Sequence, residues 1–113
     1  MIKLIATDMD GTLLNAAHEI SKENINAIKY AQSKGITVVI ATGRAFYEAS
    51  TPMAETDLKM PYICLNGAEV RDESFNIMKT SHLNHELVER IKAILDREDV
   101  YYQVYTNRGI YTE

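Results

Sequence analysis

The sequence predicts an α/β fold whose first part is a partial Rossmann-like parallel sheet with helices on both faces. Three observations carry this. The runs "IKLIAT" (2–7), "ITVVIA" (36–41) and "YICL" (62–65) are short, apolar and rich in β-branched residues, the composition of strands buried on both faces. Stretches of helical periodicity lie between them, so the order is strand, helix, strand, helix, strand, with right-handed crossovers. Cap and turn residues mark each change of period.

The first strand, residues 2–7, ends at a pair of aspartates. Ser21 is a natural N-cap for the first helix, and Ile20 and Ile25 occupy the two positions of a hydrophobic staple. Ile25, Ile28 and Ala31 give that helix an apolar face, and Gly35 stops it. The second strand, 36–41, is followed by "TGR" and by a second helix expected over about 45–56. Pro61 introduces the third strand. "GAEVRDESFNIMKT" then reads as a β-hairpin with its turn at Asp72–Ser74.

Near residue 82 the character changes. Asn84 can cap a helix over about 85–97, with Leu83 and Val88 as its staple and Leu87, Ile91, Ile94 and Leu95 facing inward. Strands at 100–105 and 110–112 flank the turn "TNRG". The expected organisation is one unit over 1–81 and the start of another over 82–113.

Bulk properties bound the function. With 113 residues, 46% of them hydrophobic and 25% charged, the chain has the composition of a soluble globular protein of one domain, or one and part of another. A net charge of −4 gives no electrostatic footprint for nucleic acid. The single cysteine, Cys64, cannot form an internal disulfide, which fits a reducing cytoplasm. "MIKLIATD" reaches Asp8 too soon for a signal peptide, and no apolar run is long enough to span a bilayer, so no membrane partner is expected.

Chemistry concentrates at the strand ends. Asp8 and Asp10, in "DMDGTLL", follow the first strand, and Gly11 permits a turn after them. Ligands of open α/β sheets sit beyond the carboxyl ends of the strands. Two carboxylates held together there need a cation or a shared proton, and Mg²⁺ suits them because it takes oxygen ligands and keeps waters that phosphate can replace. A D-x-D taken alone equally fits a turn or a cap. "ATGR" (41–44) ends the second strand, where Thr42 offers a hydroxyl and the N–H groups of Gly43 and Arg44 open a helix, a ready anion site. "LNGA" (65–68), with Asn66 and Gly67, ends the third; by itself it is an Asn-Gly turn.

Taken in order, "DMDGTLL", "ATGR" and "NGA" resemble the haloacid dehalogenase-like phosphohydrolases, in particular their Cof-type branch with an α/β cap domain. The resemblance covers the whole chain: the N-terminal half of the core through about residue 81, then the first helix and hairpin of the cap. It implies that Asp8 is the nucleophile that becomes an aspartyl phosphate. It implies that Asp10 is the general acid/base, and that Asp8 and Asp10 hold Mg²⁺, Asp10 through its main-chain carbonyl. Thr42 and the N–H groups of Met9, Asp10 and Gly43 would hold the phosphoryl group, Gly11 and Thr12 would belong to the same phosphate- and substrate-binding set, and Thr12 would also brace Asp10. Arg44, Asn66 and Gly67 would lie near the substrate. The implied function is a Mg²⁺-dependent phosphatase acting on a small phosphorylated metabolite. A phosphomutase beginning with the same aspartyl phosphate and a non-catalytic binding module are the alternatives.

Such enzymes also use a lysine beside the phosphate and a later G-D-x-x-N-D acidic pair. Neither motif occurs here: Lys79 and Lys92 lie in the wrong context, and Asp72 and Glu73 read as turn residues. The chain is therefore expected to be the N-terminal portion of a longer enzyme, with weak Mg²⁺ binding and poor turnover alone. The strand at 2–7 would present an unpaired apolar edge, open to self-association or a complementing segment. His18, His82 and His85 show no metal-ligand spacing, although His18 follows the aspartates closely enough to approach a substrate. Cys64 reads as a core residue, Tyr101, Tyr102 and Tyr105 as strand packing, and "DRED" (96–99) as a solvated helix end.

Overall fold

Val38, Val39 and Ile40 are buried on successive, opposite-facing positions, so the strand that holds them must be covered on both faces. This is β2 (Thr37–Ala41) of a computed structural model that describes residues 1–112. It lies between two parallel neighbours. β1 (Leu4–Thr7) pairs with it from Leu4 opposite Thr37 to Thr7 opposite Ile40, and β3 (Tyr62–Cys64) pairs through Ile40 opposite Tyr62. The expected hairpin forms as β4 (Glu69–Arg71) and β5 (Ile77–Thr80), which continue the sheet antiparallel to β3 in the order β1-β2-β3-β4-β5. The α/β class with a parallel core holds, and the sheet as a whole is mixed.

Local chemistry sets the helices. α1 (Lys22–Ser33) begins where Ser21 Oγ accepts the Asn24 N–H at 3.2 Å. It ends in a Schellman motif: Gly35, at φ +75°, donates its N–H to the Gln32 carbonyl, and Ile36 donates to Ala31. The second helix is shorter than the 45–56 expected. α2 runs only over Phe46–Ser50 and tightens into one turn at Thr51–Met53. Pro52 is the reason, since it has no N–H to give the Glu48 carbonyl and its ring crowds that turn. Both helices share one face of the sheet, where helices on both faces were expected. Ile28 of α1 and Ala49 of α2 join Val38, Ile40, Met9, Met53, Met60, Tyr62 and Cys64 in a single core cluster, as follows when the strand order runs in one direction across β1-β2-β3.

The chain packs as two compact units, Met1–Ser81 and a second beginning at His82. The second holds α3 (His85–Arg97) and an antiparallel pair, β6 (Gln103–Thr106) and β7 (Gly109–Thr112). Asn84 Oδ1 accepts the Leu87 N–H at 2.8 Å and caps α3. The helix leaves through a second Schellman-type exit, with Asp99 at φ +51° and the Val100 N–H on the Leu95 carbonyl. That exit uses up residues 98–102, so the hairpin starts at Gln103 and not at 100. The expected inward stripe is not inward here: Leu87, Ile91 and Ile94 are 37%, 38% and 52% exposed. One helix and one hairpin do not supply enough surface to bury it.

Candidate active site

The three motif loops emerge at the carboxyl ends of β1, β2 and β3, as parallel pairing requires. Side chains alternate through the first: Asp8 is exposed, Met9 is wholly buried in the core, and Asp10 is exposed again. Met9 thus pins the loop while both carboxylates face solvent. The chain then turns back at Gly11, φ +70°, and the Leu14 N–H reaches the Met9 carbonyl at 2.9 Å. A side chain at Gly11 would carry the cost of that left-handed conformation.

The second and third loops are stitched together. Thr42 donates its N–H to the Ile63 carbonyl (2.9 Å), Asn66 donates to the Thr42 carbonyl (3.2 Å), and Leu65 donates to the Arg44 carbonyl (3.0 Å). Thr42 is buried, and its Oγ1 accepts the Arg44 N–H at 3.1 Å. Asn66 and Gly67 both adopt positive φ, +55° and +97°, so the Asn-Gly pair turns the chain tightly at the rim. Gly43 lies so close to Asn66 that a Cβ there would stand 3.1 Å from Asn66 Oδ1.

Asp8, Thr42, Gly43, Asn66 and Gly67 line one open cavity of ≈ 330 Å³, together with Ala41 and Ile63. Five residues predicted from three separate motifs therefore meet at one place. Asp10 does not line this cavity. Its carboxylate is held by Arg44, whose Nε donates to Oδ2 at 2.8 Å and whose Nη2 donates to Oδ1 at 2.5 Å. The resemblance implied Thr12 as a brace for Asp10; the side-chain hydrogen bonds found on that carboxylate come from Arg44. The guanidinium holds the Asp10 carboxyl below the usual carboxylate range and is itself raised by the carboxylate. His18 Nδ1 lies 3.7 Å from Asp10 Oδ1.

Sequence reading placed Arg44 near the substrate but did not foresee its pairing with Asp10, nor that His18 would stand so close. The signal for His18 is present in principle. Asn15 Oδ1 accepts the N–H groups of Ala17 and Glu19, the Asn15 N–H reaches the Glu19 carbonyl, and Leu14 bridges Ile20, which folds the segment back on itself. Nothing in an Asn-x-x-x-Glu spacing says which way the fourth residue points.

The donor set bears on the implied Mg²⁺. Among the described residues no three His, Cys, Asp or Glu side chains converge. Because Arg44 occupies the Asp10 carboxylate, the oxygens this chain offers are the Asp8 carboxylate and main-chain carbonyls such as that of Asp10. Those are hard oxygen donors, and they fit a cation that fills its remaining positions with water and phosphate oxygens.

Comparison with known proteins agrees with the geometry. A model of the haloacid dehalogenase-like hydrolases matches residues 5–113. Phosphatase YwpJ of Bacillus subtilis (strain 168) is 39% identical over 98% of this chain and 39% of its own length. The 5-amino-6-(5-phospho-D-ribitylamino)uracil phosphatase YwtE of the same organism is 38% identical over 94% of this chain and 36% of its own. Among solved structures, a haloacid dehalogenase-like hydrolase from B. subtilis superposes with a TM-score of 0.93 at 39% identity, covering 98% of this chain and 39% of that one. The phosphatase BT1666 from Bacteroides thetaiotaomicron gives 0.85 at 28% identity, covering 99% of this chain and 41% of that one. The chain spans about two fifths of the length of the relatives it matches.

Proposed function

The chain belongs to the haloacid dehalogenase-like hydrolases, in their Cof-type branch, and from that premise we propose that it carries the nucleophile half of a phosphatase site for small phosphorylated metabolites. The observation that supports this most is the convergence of Asp8 with Thr42, Gly43, Asn66 and Gly67 around one cavity. Asp8 shares that cavity with the buried Thr42 and with Gly43 and Gly67 of the two rim loops, which supports the reading of Asp8 as a nucleophile beside a phosphate cradle.

In this reading an Asp8 oxygen attacks phosphorus, the ester P–O bond breaks, and the alcohol oxygen leaves with a proton supplied by Asp10. Water then loses a proton to Asp10 and attacks the aspartyl phosphate. The bond from phosphorus to Asp8 breaks, phosphate departs, and the Asp8 carboxylate is restored. Arg44 favours the ionised form of Asp10, the form that takes a proton from water in the second step, and works against the protonated form that the first step uses. Thr42 keeps its hydroxyl proton to donate, since its oxygen already accepts from Arg44. Mg²⁺, held by Asp8 and the Asp10 carbonyl, would supply neutralising charge for the phosphoryl oxygens. Residues 1–81 would form the core half, and the unit from His82 the beginning of a substrate-selecting cap.

The substrate class follows the relatives: a phosphate monoester on a polyol or sugar-like chain, the kind of group named for YwtE. A phosphatase panel that includes ribityl and sugar phosphates tests it, with Asp8→Asn as control. Turnover that vanishes in Asp8→Asn, with phosphate trapped on the wild type by acid quench and released by alkali or hydroxylamine, supports the reading. Turnover that survives Asp8→Asn removes it. The free side of β1, where Leu4 and Ile5 are 56% and 41% exposed, is proposed as the place where a complementing strand or a second copy would pair.

A further inference from the structure

A guanidinium on a long flexible stem forms a two-bond fork only if something fixes its plane. Around Arg44 two supports do so. Its backbone is clamped on both sides, the N–H on Thr42 Oγ1 and the carbonyl under the Leu65 N–H. Its Nη1 also donates, over a long 3.4 Å, to the main-chain carbonyl of Glu48. In an uninterrupted helix that carbonyl belongs to the N–H four residues on. Position 52 is proline, so no such N–H exists. The residue that shortens α2 thus leaves free the acceptor on which Arg44 rests. The arginine side chain is only 26% exposed, and the Asp10 side chain is 48% exposed.

We propose that Arg44 is a positioning residue for Asp10, and that Pro52 secures Arg44 by leaving the Glu48 carbonyl without its helical donor. The fork fixes the Asp10 carboxylate in one orientation before a substrate arrives, removing freedom that an unpaired aspartate would have to lose in the transition state. The catalytic sense of this rests on the reading of Asp10 as proton carrier; the anchoring of Arg44 does not.

The anchoring is read by NMR of the 113-residue protein, following exchange of the Arg44 Nε–H with water and assigning the signal by its loss in Arg44→Lys. The Nε–H should exchange slowly in the wild type and fast in Asp10→Ala. In Pro52→Ala, where a new N–H competes for the Glu48 carbonyl, the rate should fall between these. Fast exchange in the wild type overturns the fork, and a wild-type rate in Pro52→Ala overturns the role of the proline. The catalytic sense is read in a protein of the relatives' full length that carries this chain, by comparing p-nitrophenyl phosphate, whose leaving group departs without a proton, with an alkyl phosphate, whose leaving group needs one. Arg44→Lys should lose roughly 10²-fold in kcat/KM, which reports the step that expels the alcohol, on the alkyl ester and far less on the nitrophenyl ester. Equal losses in kcat/KM on both esters, or no loss on the alkyl ester, overturn the positioning role. If that longer protein hydrolyses neither ester while the Nε–H behaves as expected, the phosphatase reading falls and the catalytic sense with it, and the anchoring stands.

Discussion

Gly43 is where the chemistry of one missing atom is easiest to follow. A Cβ at this position would press on Asn66 Oδ1, the tip of an exposed side chain that can give way. Gly43→Ala should therefore leave the fold nearly intact, with a stability change within about 1 kcal/mol, while phosphate affinity at the rim drops. Thermal melts and phosphate titration separate the two. Cys64 shows the opposite case, a residue whose meaning is burial. It is wholly buried, and burial, then the nearby Glu69 carboxylate, pushes its thiol up to about 11. Since the folded state holds that proton more tightly than the unfolded one, the resulting stability is complete below about pH 9 and is lost as pH rises towards 11. Tyr62, pushed up to about 12 chiefly by burial, extends the same trend. Melting temperature against pH should show this alkaline fall, and Cys64→Ala should make it shallower. At neutral pH the native thiol should resist thiol reagents.

Elements are decided by their ends. Ser21 caps α1 through its side chain, and Asn24 in turn donates from Nδ2 to the Leu13 carbonyl at 2.9 Å, tying the helix start to the loop that carries the aspartates. Ser21→Ala should cost about 1 kcal/mol, measured by denaturant unfolding, and should loosen the segment at 14–20. Gly35 and Asp99 end their helices by the same left-handed device, which is why a glycine was readable as a stop and an aspartate was not. Pro52 was visible in the sequence, yet the pattern of apolar residues through 45–56 masked it. The helix obeyed the missing N–H over the periodicity.

At the scale of the whole chain, the apolar surfaces left open follow from which elements have neighbours. β2 is covered on both sides, whereas β1 begins the order β1-β2-β3-β4-β5 and pairs on one side only among the described residues. A lysine on that edge should discourage pairing with another chain. Ile5→Lys is expected to raise the monomer fraction in concentration-dependent light scattering; an unchanged association would place the contact elsewhere. The stripe of Leu87, Ile91 and Ile94 in the second unit is a separate exposed surface and would not respond to that change.

The sequence by itself determined the local parts: strands from β-branched runs, helix starts from Ser21 and Asn84, and three motifs in an order that named a family. Those follow from short-range chemistry, in which a residue and its near neighbours suffice. The tertiary structure alone decided which groups face each other. It brought Asp8 to the same cavity as Asn66, gave the Asp10 carboxylate to Arg44 across 34 positions, and set His18 beside them. It also showed that the face of α3 patterned for burial stays open. Such pairings depend on strand order and on the rotamers of long side chains, and a linear pattern of apolar and polar residues encodes neither.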